Sequence, residues 1–133
     1  MDRKELGLAL HHQKYNCAQS VVCAFRDKFD MEEKDLFRAC EAFGFGMGSM
    51  GICGAVSGMA MVIGLLNSDG NLENPSSKKL CYKTMKEATN KFIEKNSSVM
   101  CYELKGVETK TPLRSCDGCV SDAIEILEEI IGE

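Results

Sequence analysis

Apolar residues recur at helical spacing along most of this chain, and almost no segment alternates with the two-residue period of a strand. The clearest helix lies near the C-terminal end, where one apolar face is formed by Val120, Ala123, Ile124, Leu127, Ile130 and Ile131. The pattern predicts an all-α fold, a compact bundle of about five helices, with a shorter helical piece around residues 5–12 before the first. A turn or a short helix is predicted around Cys101.

Polar residues predict where several of these helices begin and end. Asn16 and Ser115 each precede an apolar periodic segment, which is the position of an N-cap. Asp30 followed by Glu33 has the spacing of a capping box, with Asp in place of the usual Ser or Thr. Gly44 is predicted to end that helix in the left-handed conformation.

The central stretch from Phe43 to Leu66 carries no charged side chain and contains seven glycines. Four of them crowd into residues 44–51, so only about 15 residues can form a continuous helix, fewer than the ~20 that span a membrane. We therefore predict a glycine-rich loop followed by a buried central helix from about Ile52 to Leu66. Gly54 and Gly58 lie on one face of it, where a backbone, a ligand or a second copy in a homodimer can approach closely.

Composition narrows the function classes. A chain of 133 residues is the length of one domain, here taken as residues 1–133. The net charge of -4 argues against a nucleic-acid surface. The polar start lacks the apolar region of a signal peptide, so we expect a cytoplasmic protein that binds no membrane. In that reducing compartment, eight cysteines point to metal binding or redox work rather than to static disulfides.

Three cysteines lie at predicted helix starts: Cys17, Cys53 and Cys116. A helix N-terminus stabilises a thiolate, so a lowered pKa is expected for each. Gly51 and the loop before it leave Cys53 at the mouth of the central helix. By contrast, the mid-helix positions of three other cysteines predict inert core residues: Cys23, Cys40 and Cys81.

Other motifs carry less weight. Cys116 and Cys119 form a C-x-x-C, but no strand precedes it as in thioredoxin-like proteins, and no second such pair completes a zinc motif. Four cysteines from separate helices could still hold zinc or an iron–sulfur cluster. The G-x-G-x-x-G of residues 46–51 also lacks the strand of a dinucleotide site. His11 and His12 are predicted to be surface residues.

Four segments, "NCAQSV", "CGAVSG", "CYELKG" and "CDGCVSDAIEILEEI", resemble in order the C_GCAxxG_C_C family of small redox-active proteins. The most specific of them is "CGAVSG", a complete match to the CGAxxG motif of that family. The resemblance implies a cytosolic helical protein with a thiol redox or metal role. It places the four family cysteines at Cys17, Cys53, Cys101 and Cys116, with Cys119 as a competing choice for the last.

Three functions stay open at this point. In the first, a thiol oxidoreductase without a cofactor, Cys53 and one of Cys17, Cys101 or Cys116 cycle between dithiol and disulfide with an unidentified redox partner. In the second, the same four cysteines or Cys119 hold zinc or an iron–sulfur cluster. In the second, the close backbone approach expected at Gly51, Gly54 and Gly58 would serve cofactor binding. The third is a helical partner-binding protein whose cysteines only pack.

Overall fold

The computed structural model describes residues 1–133 and contains helices, turns and one isolated β-bridge, with no strand. Its seven α-helices are α1 (Arg3–His12), α2 (Cys17–Ala24), α3 (Glu33–Cys40), α4 (Gly54–Asn67), α5 (Lys78–Asn96), α6 (Cys101–Leu104) and α7 (Cys116–Ile131). The all-α prediction is confirmed, whereas the number of about five is wrong. The helices not counted among the five are α1, which corresponds to the shorter helical piece predicted around residues 5–12, and the single turn α6, which corresponds to the turn or short helix predicted around Cys101.

Two of the predicted N-caps are confirmed. The Asn16 side chain accepts a hydrogen bond from the Gln19 amide, and the Gln19 side chain in turn accepts one from the Asn16 amide. The Ser115 hydroxyl accepts one from the Gly118 amide at 2.9 Å. Such caps satisfy amide groups that have no partner within the helix, so both helix starts are fixed by local sequence.

The predicted capping box at Asp30 is wrong. α3 begins only at Glu33, and its N-cap Glu32 makes no side-chain hydrogen bond to the helix. The Glu33 carboxylate instead accepts hydrogen bonds from the Arg26 guanidinium at 2.8 Å and the Tyr15 hydroxyl at 2.5 Å. Glu33 therefore binds residues on either side of α2 instead of capping its own helix.

Gly44 does not adopt the left-handed conformation that was predicted for it. Its φ is -64°, and the first positive φ after α3 belongs to Phe45, at 54°. The glycine is required for a different reason, because a Cβ at this position would overlap the side-chain amide of Asn16. The loop after α3 therefore lies directly against the start of α2.

α2 and α4 form the centre of the bundle and pack closely against each other. A Cβ at Gly58 would lie 3.1 Å from the Val21 Cβ and 3.2 Å from the Ala18 carbonyl oxygen. Gly54 faces α2 in the same way, since a Cβ there would lie 3.3 Å from the Ala18 amide nitrogen. α1, α3, α5 and α7 surround this pair and bury a single apolar core.

α4 starts two residues later than predicted because the chain before it is held in a β-bridge. Ile52 pairs antiparallel with Met100. The Cys53 amide donates to the Val99 carbonyl at 2.7 Å, and the Cys101 amide donates to the Gly51 carbonyl at 2.6 Å. The starts of α4 and α6 are thus tied together by main-chain hydrogen bonds. None of the seven helices combines the length and the apolar character needed to span a membrane.

Candidate thiol site

Five cysteines line one cavity of about 140 Å³ between the starts of four helices. They are Cys17, Cys53, Cys101, Cys116 and Cys119. All four cysteines that the family pattern selects therefore meet, and Cys119 joins Cys116 rather than replacing it. Three other cysteines lie elsewhere: Cys23, Cys40 and Cys81.

Helix ends place each of these sulfurs. Cys17 and Cys116 are the first residues of α2 and α7, each directly after its N-cap. Cys53 is itself the N-cap of α4, and Cys101 is the first residue of α6. Cys119 lies three residues after Cys116, on the same face of α7. The main-chain bridge fixes the two central segments against each other, and the capped helices bring the remaining thiols to them.

The first two thiols form an outer pair, Cys17 and Cys116, both half-buried. The Cys17 thiol, as a hydrogen-bond donor, and then the Lys105 ammonium, with Nζ 3.6 Å from the Cys116 Sγ, together lower the pKa of Cys116 to about 5 against the effect of burial. The same contact and burial raise the pKa of Cys17 well above its ordinary value. The expected lowering at Cys17 is wrong, because the negative charge shared by the pair resides on Cys116.

The inner pair consists of Cys53 and Cys119, which are 6% and 2% exposed. Interaction with the Cys119 thiol, together with the amides of Ala55 and Val56 at the start of α4, lowers the pKa of Cys53 to about 7 against the effect of burial. The pKa of Cys119 is raised by its contact with Cys53 and by burial. Burial also raises the pKa of Cys101, the fifth thiol. The cavity therefore combines two favoured thiolates with thiols that keep their protons.

Three charged or titratable side chains at the cavity were missed in the sequence: His11, Lys105 and Arg114. The His11 side chain is 19% exposed and its Nε2 lies 3.8 Å from the Cys17 Sγ, whereas the His12 side chain is 65% exposed. The prediction of a surface residue thus holds only for His12. The sequence does indicate this position of His11, because the residue lies one helical turn after Gly7, on the face of α1 that packs closely against α7. Lys105 and Arg114 lie in an aperiodic connection that gives no such signal.

The three cysteines outside the cavity divide into two groups. Cys23 and Cys40 are fully buried in the core, as predicted, and burial raises their pKa to about 12 and about 11. Cys81 on α5 is only half-buried and does not belong to the core, contrary to the prediction. Cys81 matches the helical spacing of apolar residues in α5, but the buried face of this helix is narrow. It includes Ala88 and Phe92 and does not extend to Cys81.

The three glycines predicted for cofactor binding lie at different depths. Gly54 lines the cavity, and Gly51 offers its carbonyl to the Cys101 amide at the cavity edge. Gly58 lies one turn deeper in α4, against α2 and away from the cavity. A cofactor role for these glycines stays a prediction, whereas close helix packing accounts for Gly58.

A comparison with protein-family models matches residues 15–130 to the family described as "Putative redox-active protein (C_GCAxxG_C_C)". The match spans all five cysteines of the cavity. The chain belongs to this family. Searches of curated proteins and of solved structures gave no match. In this C_GCAxxG_C_C protein, the cysteines that match the family pattern are among those that line the cavity.

The donor set was tested for a metal or cluster. No group of three or more His, Cys, Asp or Glu side chains is arranged to hold a metal ion. The thiols of this C_GCAxxG_C_C protein lie in pairs instead, and a metal would have to displace the protons of Cys17 and Cys119. Zinc or an iron–sulfur cluster would need several of these side chains to converge on one centre, which the paired arrangement does not present.

Proposed function

We propose that the protein is a thiol–disulfide oxidoreductase that uses the outer pair, Cys17 and Cys116, as its reactive dithiol. The observation that carries the proposal is a half-buried thiolate, Cys116, beside a protonated thiol and the Lys105 ammonium. A low-pKa, accessible thiolate next to a second cysteine is the usual arrangement of an attacking and a resolving thiol.

The proposed reaction conserves atoms and electrons. The Cys116 thiolate attacks a substrate disulfide R–S–S–R′, a bond forms between Cys116 and one substrate sulfur, and R′S⁻ leaves and takes a proton from water. Cys17 then attacks the Cys116 Sγ, RS⁻ leaves, and the proton lost by Cys17 passes to RS⁻ to give RSH. The protein dithiol is oxidised by two electrons to a Cys17–Cys116 disulfide, and the substrate disulfide is reduced to two thiols.

The inner pair enters the proposal as a second dithiol. Cys53 was expected to pair with Cys17, Cys101 or Cys116, but its thiol contact in the structure is with Cys119. Because both sulfurs are buried, reagents that reach Cys116 directly reach Cys53 more slowly. We therefore expect the outer disulfide to form first and the inner one only under stronger or longer oxidation.

Disulfide mapping tests the proposal. The reduced protein is equilibrated in glutathione buffers of increasing oxidised fraction, quenched with acid, alkylated and analysed by mass spectrometry with fragmentation that separates Cys116 from Cys119. We expect the Cys17–Cys116 disulfide to appear first, and Cys116→Ser to abolish it. Cys81→Ser is the matched control and should leave the order unchanged. A first disulfide between any other two cysteines contradicts the proposal.

The same preparation distinguishes the metal-binding hypothesis. Protein purified without oxygen is analysed for zinc, iron and sulfide and for visible absorption. The proposal expects less than one metal ion per chain and complete alkylation of Cys116. One zinc ion per chain, or iron and sulfide in equal amounts with a brown colour, would replace the dithiol reaction with a binding function.

A further inference from the structure

His11 connects the outer pair to a carboxylate on the next helix. Its Nε2 lies 3.8 Å from the Cys17 Sγ, and its Nδ1 lies 2.5 Å from Oδ1 of Asp117. The other carboxylate oxygen of Asp117 is 2.9 Å from Nε2 of His12. Contacts with His12 and His11 hold the pKa of Asp117 below its usual range, so this group is a carboxylate. An ionised carboxylate only accepts hydrogen bonds, so the hydrogen of this contact lies on Nδ1 of His11, and Nε2 is the ring nitrogen that faces the Cys17 sulfur and can accept its proton.

The packing of α1 on α7 produces this alignment. Gly7 allows the close approach, because a Cβ there would overlap the Ile124 side chain. His11 lies one helical turn after Gly7 on the same face, and Asp117 is the second residue of α7. The His11 side chain therefore lies beside the N-terminal end of α7, whose first residue is Cys116.

We propose that His11 is the base that accepts the Cys17 proton when Cys17 attacks the mixed disulfide on Cys116, and that Asp117 is the positioning residue that orients its ring. This inference rests on the dithiol function proposed above. In the resolving step the Cys17 S–H bond breaks, the proton moves to Nε2 of His11, and the Cys17–Cys116 bond forms as RS⁻ leaves. The imidazolium then returns the proton to RS⁻, which gives RSH and the neutral ring.

The resolving thiol needs such a base because it is otherwise held in its protonated form. Contact with Cys116 and burial raise the pKa of Cys17, and only the thiolate attacks a disulfide. In this step the Cys116 sulfur is bonded to the substrate, and the Cys53 thiolate interacts with Cys119. The cations at the cavity, Lys105 and Arg114, donate hydrogen bonds but have no lone pair. Nε2 of His11 is thus the basic atom in contact with the Cys17 sulfur.

The test separates the two chemical steps with an aromatic disulfide, 5,5′-dithiobis(2-nitrobenzoate). Attack by Cys116 releases one coloured thiolate, and attack by Cys17 on the mixed disulfide releases the second, so stopped-flow absorbance gives two phases. Quenched samples are mapped by mass spectrometry to assign the second phase to the Cys17–Cys116 disulfide. General-base catalysis contributes about 10² to 10⁴-fold. We expect His11→Ala to slow the second phase by about 100-fold and to leave the first within about threefold.

Matched variants isolate the role of the ring. His12→Gln is the control, because His12 shares the Asp117 carboxylate but does not contact Cys17. It should leave the second phase unchanged. Added imidazole should restore much of that phase in His11→Ala, which a purely structural defect would not show. Asp117→Asn should slow the second phase by about tenfold in the wild type and have no further effect in His11→Ala, because it acts through His11.

The outcomes are distinguishable. A second phase in His11→Ala within about threefold of the wild type, in protein with native circular dichroism, overturns the role of His11. So does a slowed phase that imidazole does not restore. If the wild type itself forms the mixed disulfide at Cys116 but no Cys17–Cys116 disulfide, the dithiol function fails, and the role of His11 fails with it.

Discussion

Replacing Cys17 by Ala should make Cys116 a weaker acid. The Cys17 thiol is the largest cause of the low pKa of Cys116, ahead of the Lys105 ammonium. Alanine removes the donor, whereas serine keeps a hydroxyl that can donate in its place. The pair Cys17→Ala and Cys17→Ser therefore separates the hydrogen bond from the loss of a sulfur atom at this position.

The size of the effect follows from the hydrogen bond. A hydrogen bond to a charged group contributes about 1.5 to 3 kcal/mol, and one pH unit of pKa corresponds to about 1.36 kcal/mol. Loss of the Cys17 donor should move the pKa of Cys116 from about 5 up to about 6 or 7. Lys105→Met should move it by about one pH unit or less, because a charge about 4 Å away contributes roughly 1 kcal/mol where water screens it.

The pH dependence of alkylation measures this shift better than the rate at one pH. A less basic thiolate is more abundant at neutral pH but also less nucleophilic, so the two effects largely offset each other in the rate at pH 7. Iodoacetamide labelling of Cys116 is followed by mass spectrometry from pH 4 to pH 9, and the midpoint is compared between variants. Cys81→Ser is the control and should have the wild-type midpoint. A wild-type midpoint near 9, or the same midpoint in Cys17→Ala, would refute the reasoning.

Three further predictions concern stability and are measured by urea unfolding. Gly58→Ala should destabilise the fold by about 1 kcal/mol, because the added methyl group meets α2. Gly64 has open space around it, so Gly64→Ala should stabilise the fold by up to about 1 kcal/mol. Equal effects of the two substitutions would contradict the close packing at Gly58. Ser115→Ala should cost about 1 kcal/mol, and Ser115→Thr much less. Arg114→Gln leaves the buried Asp122 carboxylate without its two hydrogen bonds and should cost about 1 to 3 kcal/mol, which Asp122→Asn in the same chain should partly recover.

The sequence contains enough information to predict the helices and the positions of most cysteines within them. Asn16 and Ser115 begin helices because their side chains satisfy amides that no other group reaches. The all-α fold and the placement of Cys17 and Cys116 at helix starts follow from such local interactions. The prediction of a capping box at Asp30 was wrong because the Glu33 carboxylate accepts hydrogen bonds from Arg26 and Tyr15, which the local spacing of residues does not reveal.

The pairing of the thiols could not be predicted in the same way. A helix start should lower the pKa of Cys17 as it should that of Cys116, yet the two pKa values move in opposite directions once the sulfurs share a proton. Cys119 enters the cavity because α7 turns that face inward, a property of helix packing. His11 reaches the site for the same reason, through the close approach at Gly7.

The bridge between Ile52 and Met100 has a consequence for how this sequence can diverge. Its hydrogen bonds join main-chain atoms, so the spacing of Cys53 and Cys101 does not depend on which side chains occupy the two bridged positions. Ile52 is 36% exposed and can be exchanged for other β-formers without altering that spacing. Relatives and redesigned versions can therefore carry side chains of other charge or size at the bridged positions, while the sulfurs of Cys53 and Cys101 keep their places.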